Sequence, residues 1–153
     1  MYDISRLRKN SETLERYLAS IPSDNKVFSK TRVDYQPEGM IIEGLKKSAK
    51  DAFIIVFSAE WCPDCAKQLP PLAKIAQEAG IEVRVFGHLM RNPLNPNERW
   101  RIPPSPLEVR EFNVTKIPLI VVLNARGEKL GEIVESPPEG LSLEEALLKI
   151  LER

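Results

Sequence analysis

The stretch Ala52-Phe-Ile-Ile-Val-Phe-Ser-Ala-Glu-Trp-Cys-Pro-Asp-Cys65 decides the reading of this chain. Its first six residues are an unbroken apolar, β-prone run, the pattern of a strand buried on both faces. Its last four hold two thiols separated by two residues. The pattern after the run predicts a helix from about Cys62 to Ala79, closed by Gly80 at the C′ position. Cys62 then falls near the N-cap, where free backbone N–H groups and the helix dipole favour a thiolate over a thiol. The thiolate is the attacking species in disulfide exchange, and Cys65 follows about one turn later, close enough to attack the mixed disulfide that results. The short spacing makes that second step intramolecular. Cys62 is therefore expected to be the exposed nucleophile and Cys65 the buried resolving thiol.

The neighbours tune this pair. Pro63 suits the first helical turn, where its missing N–H forfeits no helical hydrogen bond. Asp64 favours the helix start, yet its charge opposes a second negative charge on Cys62. Cys62 should thus be less acidic than with a neutral or basic residue at 64, which points to a reductant rather than a strong oxidant. Trp61 reads either as a side chain beside the thiols or as gap filling. The bland alternative for the cysteines, that they only pack inside a helix, leaves their pairing after a buried strand unexplained.

Composition narrows the class further. At 153 residues the chain suits one domain with a core large enough to fold without staples. Lys plus Arg number 22 and Asp plus Glu 22, so the basic excess usual in a nucleic-acid binder is absent. Polar residues break every apolar run near the N-terminus, which reads as neither signal peptide nor membrane anchor. The longest apolar run, 52–57, falls far short of the ~20 residues that span a bilayer. A cytoplasmic location, where thiols stay reduced, is the expectation. Both cysteines lie in one motif and the sole histidine is His88. A zinc site would need two more ligands, so no metal is expected. His88 has no partner at metal-ligand spacing and reads as structural or solvated.

Outward from the motif the chain reads as alternating elements. Residues 3–20 carry apolar positions near helical spacing, with Asp3 as N-cap and Pro22 ending the segment. A short strand is expected at 31–35 and a second helix at 39–49. Strands follow at 81–86 and 119–123, with a short helix at 107–112 between them. Asn124-Ala-Arg-Gly127 reads as a turn into a strand at 129–134, and 141–151 as the final helix. The order β-α-β-α-β-β-α calls for a central mixed sheet with helices on both faces. Right-handed crossover makes the first two of these strands parallel, and the last hairpin runs antiparallel. The Cys62 motif and Pro118 then lie at one edge of the sheet, where open α/β sheets bind ligands.

At this point the sequence resembles the thioredoxin superfamily. Phe57 to Cys65 looks like its active-site segment, and Pro70 matches the proline that kinks its active-site helix. Lys116-Ile117-Pro118 matches its cis-proline loop, and Gly127 and Gly131 suit its final hairpin. The resemblance covers about residues 52–152. The Trp-Cys-Pro-Asp-Cys form is similar to cytosolic thioredoxin-related reductases and to a bacterial and archaeal thioredoxin-like branch. It implies a three-layer α/β/α domain over 1–153, with an N-terminal helical extension (1–36) and a core (37–153). It also implies that Ile117 and Pro118 bind substrate and that Trp61 sits beside the thiols. Two departures stand out. Aligning on Ala59 to Cys62 puts Val56 where the family carries a buried acid, with Glu60 or Asp64 as substitutes through water. The stretch 87–107 inserts five prolines, three arginines and Trp100 near the redox edge, either as a stiff substrate filter or as an ordinary surface excursion.

The function expected is a thiol–disulfide oxidoreductase, a disulfide reductase with Cys62 and Cys65 as the catalytic dithiol and no bound cofactor. Substrates would be protein or small-molecule disulfides. Electrons would come from an upstream reductase, since this chain lacks flavin and nicotinamide signatures. Neither nucleic acid nor membrane is an expected partner. The rival is a binding or adaptor protein that uses the same fold as a docking surface, its dithiol a redox-sensitive latch.

Overall fold

The computed structural model describes residues 1–29, 35–90, 94 and 105–152. Along the chain run α1 (Ile4–Asn10), β1 (Glu12–Thr13), α2 (Leu14–Ser20), α3 (Lys26–Ser29), α4 (Gly39–Ser48) and β2 (Phe53–Phe57). They are followed by α5 (Pro63–Ala79), β3 (Glu82–Phe86), α6 (Glu108–Glu111), β4 (Leu119–Leu123), β5 (Lys129–Val134) and α7 (Leu143–Leu151). The strands form one sheet in the order β1-β3-β2-β4-β5. Its centre is β2 (FIIVF) and β4 (LIVVL), every residue of which is buried. Burying each such Ile, Leu, Val or Phe stabilises the fold by about 1.5–3 kcal/mol relative to exposure.

β2 runs parallel to β3, with Phe57 opposite Phe86, and antiparallel to β4, with Phe57 opposite Leu119. The C-terminal ends of β2 and β3 and the N-terminal end of β4 therefore meet at one rim. The chain leaves β2 there toward Cys62 and enters β4 there from Pro118. Helices α4, α5 and α7 pack on one another. Across the sheet, α1 is tied to α6 by an Arg6–Glu111 ion pair and by Asn10 Nδ2 donating to the Glu108 carboxylate at 3.0 Å. This is the three-layer arrangement expected, and no described helix is long and apolar enough to cross a membrane.

The expected single helix at 3–20 is two helices with a strand between them. Asp3 caps α1 as anticipated, its carboxylate accepting from Arg6 N at 3.1 Å. At Ser11 the backbone turns extended, and Glu12 and Thr13 pair antiparallel with Val85 and Arg84 as an edge strand. The reason is Arg84: its guanidinium donates to the carbonyls of Arg8 and Ser11 at 2.9 and 2.7 Å, satisfying acceptors that would otherwise continue the helix. Thr13 then caps α2, its Oγ1 accepting from Arg16 N at 3.1 Å.

The other elements fall within a residue or two of their expected bounds. The strand expected at 31–35 lies outside the described residues but for Tyr35, whose hydroxyl donates to the buried Glu144 carboxylate. Most of the Pro-rich insertion, with Arg91, Arg99, Trp100 and Arg101, also lies outside them. At its described base, Met90 N donates to Ser105 Oγ at 2.7 Å.

Candidate active site

Cys62 is the N-cap of α5. Its backbone is extended, its Sγ accepts from Cys65 N at 3.2 Å, and Pro63 opens the helix. This is the capping geometry of a serine or aspartate with sulfur in place of oxygen, so the donors that cap the helix also stabilise a thiolate. Gly80 ends α5 in the left-handed conformation. Both cysteines are unbridged.

The accessibility expected of the pair is corrected in one respect. Cys65 has no exposure, but Cys62 is buried too, with only 5% exposed. The sulfur lies under the rim formed by the loop before β4: its thiol meets the Ile117 carbonyl at 3.8 Å, and the Ile117–Pro118 bond is cis. Ile117 and Pro118 are both buried, the Ile117 carbonyl lying beside Cys62. Trp61 is 41% exposed and its Nε1 donates to the Leu89 carbonyl at 3.3 Å.

The two thiols are driven apart electrostatically. Hydrogen bonding from the Cys65 side chain holds Cys62 below the usual thiol range, against burial and the Asp64 charge, which raise it. Burial pushes Cys65 up, and the neighbouring Cys62 pushes it further the same way. The role anticipated for Asp64 has the expected sign, but the helix N-terminus and Cys65 outweigh it. The pair is therefore asymmetric, with the Cys62 thiolate favoured and Cys65 held as a thiol. In the reduced protein, iodoacetamide near pH 7 should modify Cys62 at least about tenfold faster than Cys65. The Cys62 rate should climb with pH through a midpoint below the ~8.5 of a free thiol. Peptide mapping by mass spectrometry reads this, and equal rates at the two sites would overturn the assignment.

Two contacts of the site were not foreseen from the sequence. Glu60 does not reach the dithiol as a free acid: its buried Oε1 stands 2.6 Å from Nδ1 of His88, which carries a positive φ of 62°. The second is Ser58, fully buried between β2 and the motif, whose hydroxyl favours the Cys65 thiolate and lies 2.9 Å from the Tyr17 hydroxyl. A hydroxyl in a run that is otherwise apolar from 52 to 59 is the only sequence signal for it. Val56, where the resemblance leads one to expect an acid, is apolar and fully buried. Among the described residues no group of three or more His, Cys, Asp or Glu could hold a metal ion.

A fold with its dithiol on a helix N-cap opposite a cis-proline defines a class, and comparison with known proteins agrees. The chain belongs to the thioredoxin family: the family model described as Thioredoxin matches residues 8–104, well over half of it. The match begins within α1, so β1 and Arg84 fall inside it. No curated protein sequence matches. Among solved structures, a protein of unknown function from Pseudomonas aeruginosa superposes with a TM-score of 0.64 at 20% identity, covering 99% of this chain and 96% of that one. An HIV epitope scaffold gives 0.65 at 18% identity over 99% of this chain and 96% of the other. At these identities the likenesses speak for the fold alone. A DsbH oxidoreductase aligns at 18% identity over 90% of this chain and 98% of that one, with a TM-score of 0.47.

Proposed function

We propose that the protein is a disulfide reductase in which Cys62 attacks and Cys65 resolves. The observation that carries this reading is the asymmetric dithiol itself: an N-capping sulfur with a lowered pKa and a fully buried second thiol in hydrogen-bond contact with it. The Cys62 thiolate attacks one sulfur of a substrate disulfide, expelling the other as a thiolate. Cys65 then attacks Cys62, forming the Cys62–Cys65 disulfide and releasing the second substrate sulfur. Protein or small-molecule disulfides would be the substrates, and an upstream reductase would restore the dithiol. The Ile117 carbonyl beside Cys62 offers an extended peptide a strand-like hydrogen bond at the rim.

The direction of electron flow follows from how far Cys62 is stabilised. Asp64 and burial both oppose its thiolate, so the reduced state is less favoured than in a strongly oxidising dithiol. Equilibration with glutathione buffers, read by mass spectrometry of alkylated protein, should give a potential nearer ~−270 mV than ~−120 mV. A value above about −180 mV would overturn the reductant assignment. Multiple turnover of insulin disulfides with dithiothreitol as donor should accompany it. A single oxidation without turnover would favour the redox-latch reading instead.

A further inference from the structure

We propose that Ser58 and Tyr17 form a buried hydroxyl pair that stabilises the Cys65 thiolate during resolution, Ser58 as the catalytic hydrogen-bond donor to Sγ and Tyr17 as the residue that positions it. This inference rests on the dithiol reading above and concerns its second step. Cys65 is wholly buried, and the surroundings that hold it protonated also oppose the charge it must develop to attack. Ser58, the one polar residue in the apolar run from 52 to 59, has no exposure itself, and its hydroxyl favours the Cys65 thiolate. Tyr17, also without exposure, lies 2.9 Å from Ser58 Oγ.

Hydroxyls suit this position because they rotate. While Cys65 is a thiol, its S–H can donate to Ser58 Oγ, which donates onward to Tyr17. Once the proton has left, both rotors reverse: Tyr17 donates to Ser58, and Ser58 donates to the sulfur. The pair answers charge with dipoles already in place and itself stays neutral. Burial keeps Tyr17 protonated, so it remains a donor at every pH at which the protein works. Its ring is held from behind by Gly87, where an added Cβ would stand 2.4 Å from Tyr17 Cε1. The backbone of Ser58 is fixed as well, its N–H donating to the Phe86 carbonyl at 3.1 Å.

In the step concerned, the Cys65 proton passes to solvent and the Cys65 Sγ–Cys62 Sγ bond forms. The Cys62–substrate bond breaks, and its electron pair leaves on the substrate sulfur, which solvent protonates. The other titratable groups around the pair are Cys62 and Asp64 on α5, Glu60 before the motif and His88 after β3, whose ring meets the Tyr17 edge at 6.3 Å. Lys116, on the loop before β4, is engaged by Glu135 at 3.9 Å.

Rapid mixing of the reduced protein with excess 5,5′-dithiobis(2-nitrobenzoate) tests this, because the two steps each release one coloured thiolate. The first release, attack by Cys62, depends on reagent concentration; the second, attack by Cys65, does not. Ser58→Ala should slow the second phase about tenfold, the rate equivalent of about 1.4 kcal/mol, and move its pH profile to higher pH. The first phase should stay within about twofold of the parent. Tyr17→Phe, which keeps the ring, should slow the second phase by a smaller factor, and Ser58→Thr should restore it. Parent-like second phases in both Ser58→Ala and Tyr17→Phe would overturn the proposal, as would equal loss in both phases or a Ser58→Thr as slow as Ser58→Ala. Failure of the dithiol reading looks different, since the parent itself would then show no concentration-independent second release.

Discussion

Cys62→Ser is expected to lose disulfide reduction by at least about a thousandfold, a barrier increase of about 4 kcal/mol, with the fold intact. The hydroxyl can still accept from Cys65 N and cap α5, so the helix N-terminus keeps its partner. What disappears is the anion: an alcohol does not ionise near neutral pH, and attack on a disulfide requires a thiolate. Cys65 cannot stand in for it, being wholly buried with its proton held tightly. Cys65→Ser should fail differently. Its Cys62 attacks once and stops as a mixed disulfide, recoverable as a stoichiometric adduct. Insulin turnover with intact-mass analysis separates the two. Substantial turnover by Cys62→Ser, or no adduct on Cys65→Ser, would remove Cys62 from the role of nucleophile.

The largest effect on stability is expected at Gly127→Ala, about 3 kcal/mol, on the far side of the sheet from the thiols. Gly127 closes the β4–β5 turn with φ of +86°, and its N–H donates to the Asn124 carbonyl at 3.0 Å. An L side chain at that φ is strained by about 1 kcal/mol or more. A Cβ there would also stand 1.9 Å from the Tyr2 carbonyl oxygen, and Tyr2 N donates to the Gly127 carbonyl at 2.8 Å. The methyl therefore displaces Tyr2, whose ring stacks on Phe112 at 4.1 Å. For a chain of this size that loss lowers the melting temperature by about 6–12 °C. Removing residues 1 and 2 first should shrink the penalty to the backbone strain alone, a coupling that a double-mutant cycle measures. A Gly127→Ala protein that melts with the parent would show that Tyr2 does not bind the turn.

The parts of this molecule that could be read from sequence are those whose cause is local. FIIVF and LIVVL are apolar throughout because both faces are covered, and Gly80 and Asp3 mark a helix end and a helix start by their own chemistry. Cys62 and Cys65 announce themselves by spacing, and Pro118 by the residues around it. β1 could not be found this way. Glu12 and Thr13 are polar and only two residues long, and they are strand because Arg84, distant in sequence, gathers the carbonyls at the end of α1. Helical periodicity runs straight through them, so the 3–20 reading followed the pattern past the break. The Ser58–Tyr17 pair escaped for the same reason, its members 41 residues apart. The partnership of Glu60 with His88 depends on two loops meeting at the rim.

The strap formed by residues 2–13 has a consequence for synthesis. It is made well before its partners: Asn10 waits for Glu108 and Arg6 for Glu111, separations of 98 and 105 residues, and Tyr2 for Gly127. Until those residues emerge, α1 is a seven-residue segment, too short to hold helical form alone. β1 likewise has no edge to join before β3 is made. The strap is thus a part that must wait long for its partners, and closing contacts of such span is slow because the loop entropy is lost before the contacts repay it. A nascent chain halted before Glu108 would carry its dithiol motif complete while this strap remained undocked, open to proteases and to other chains.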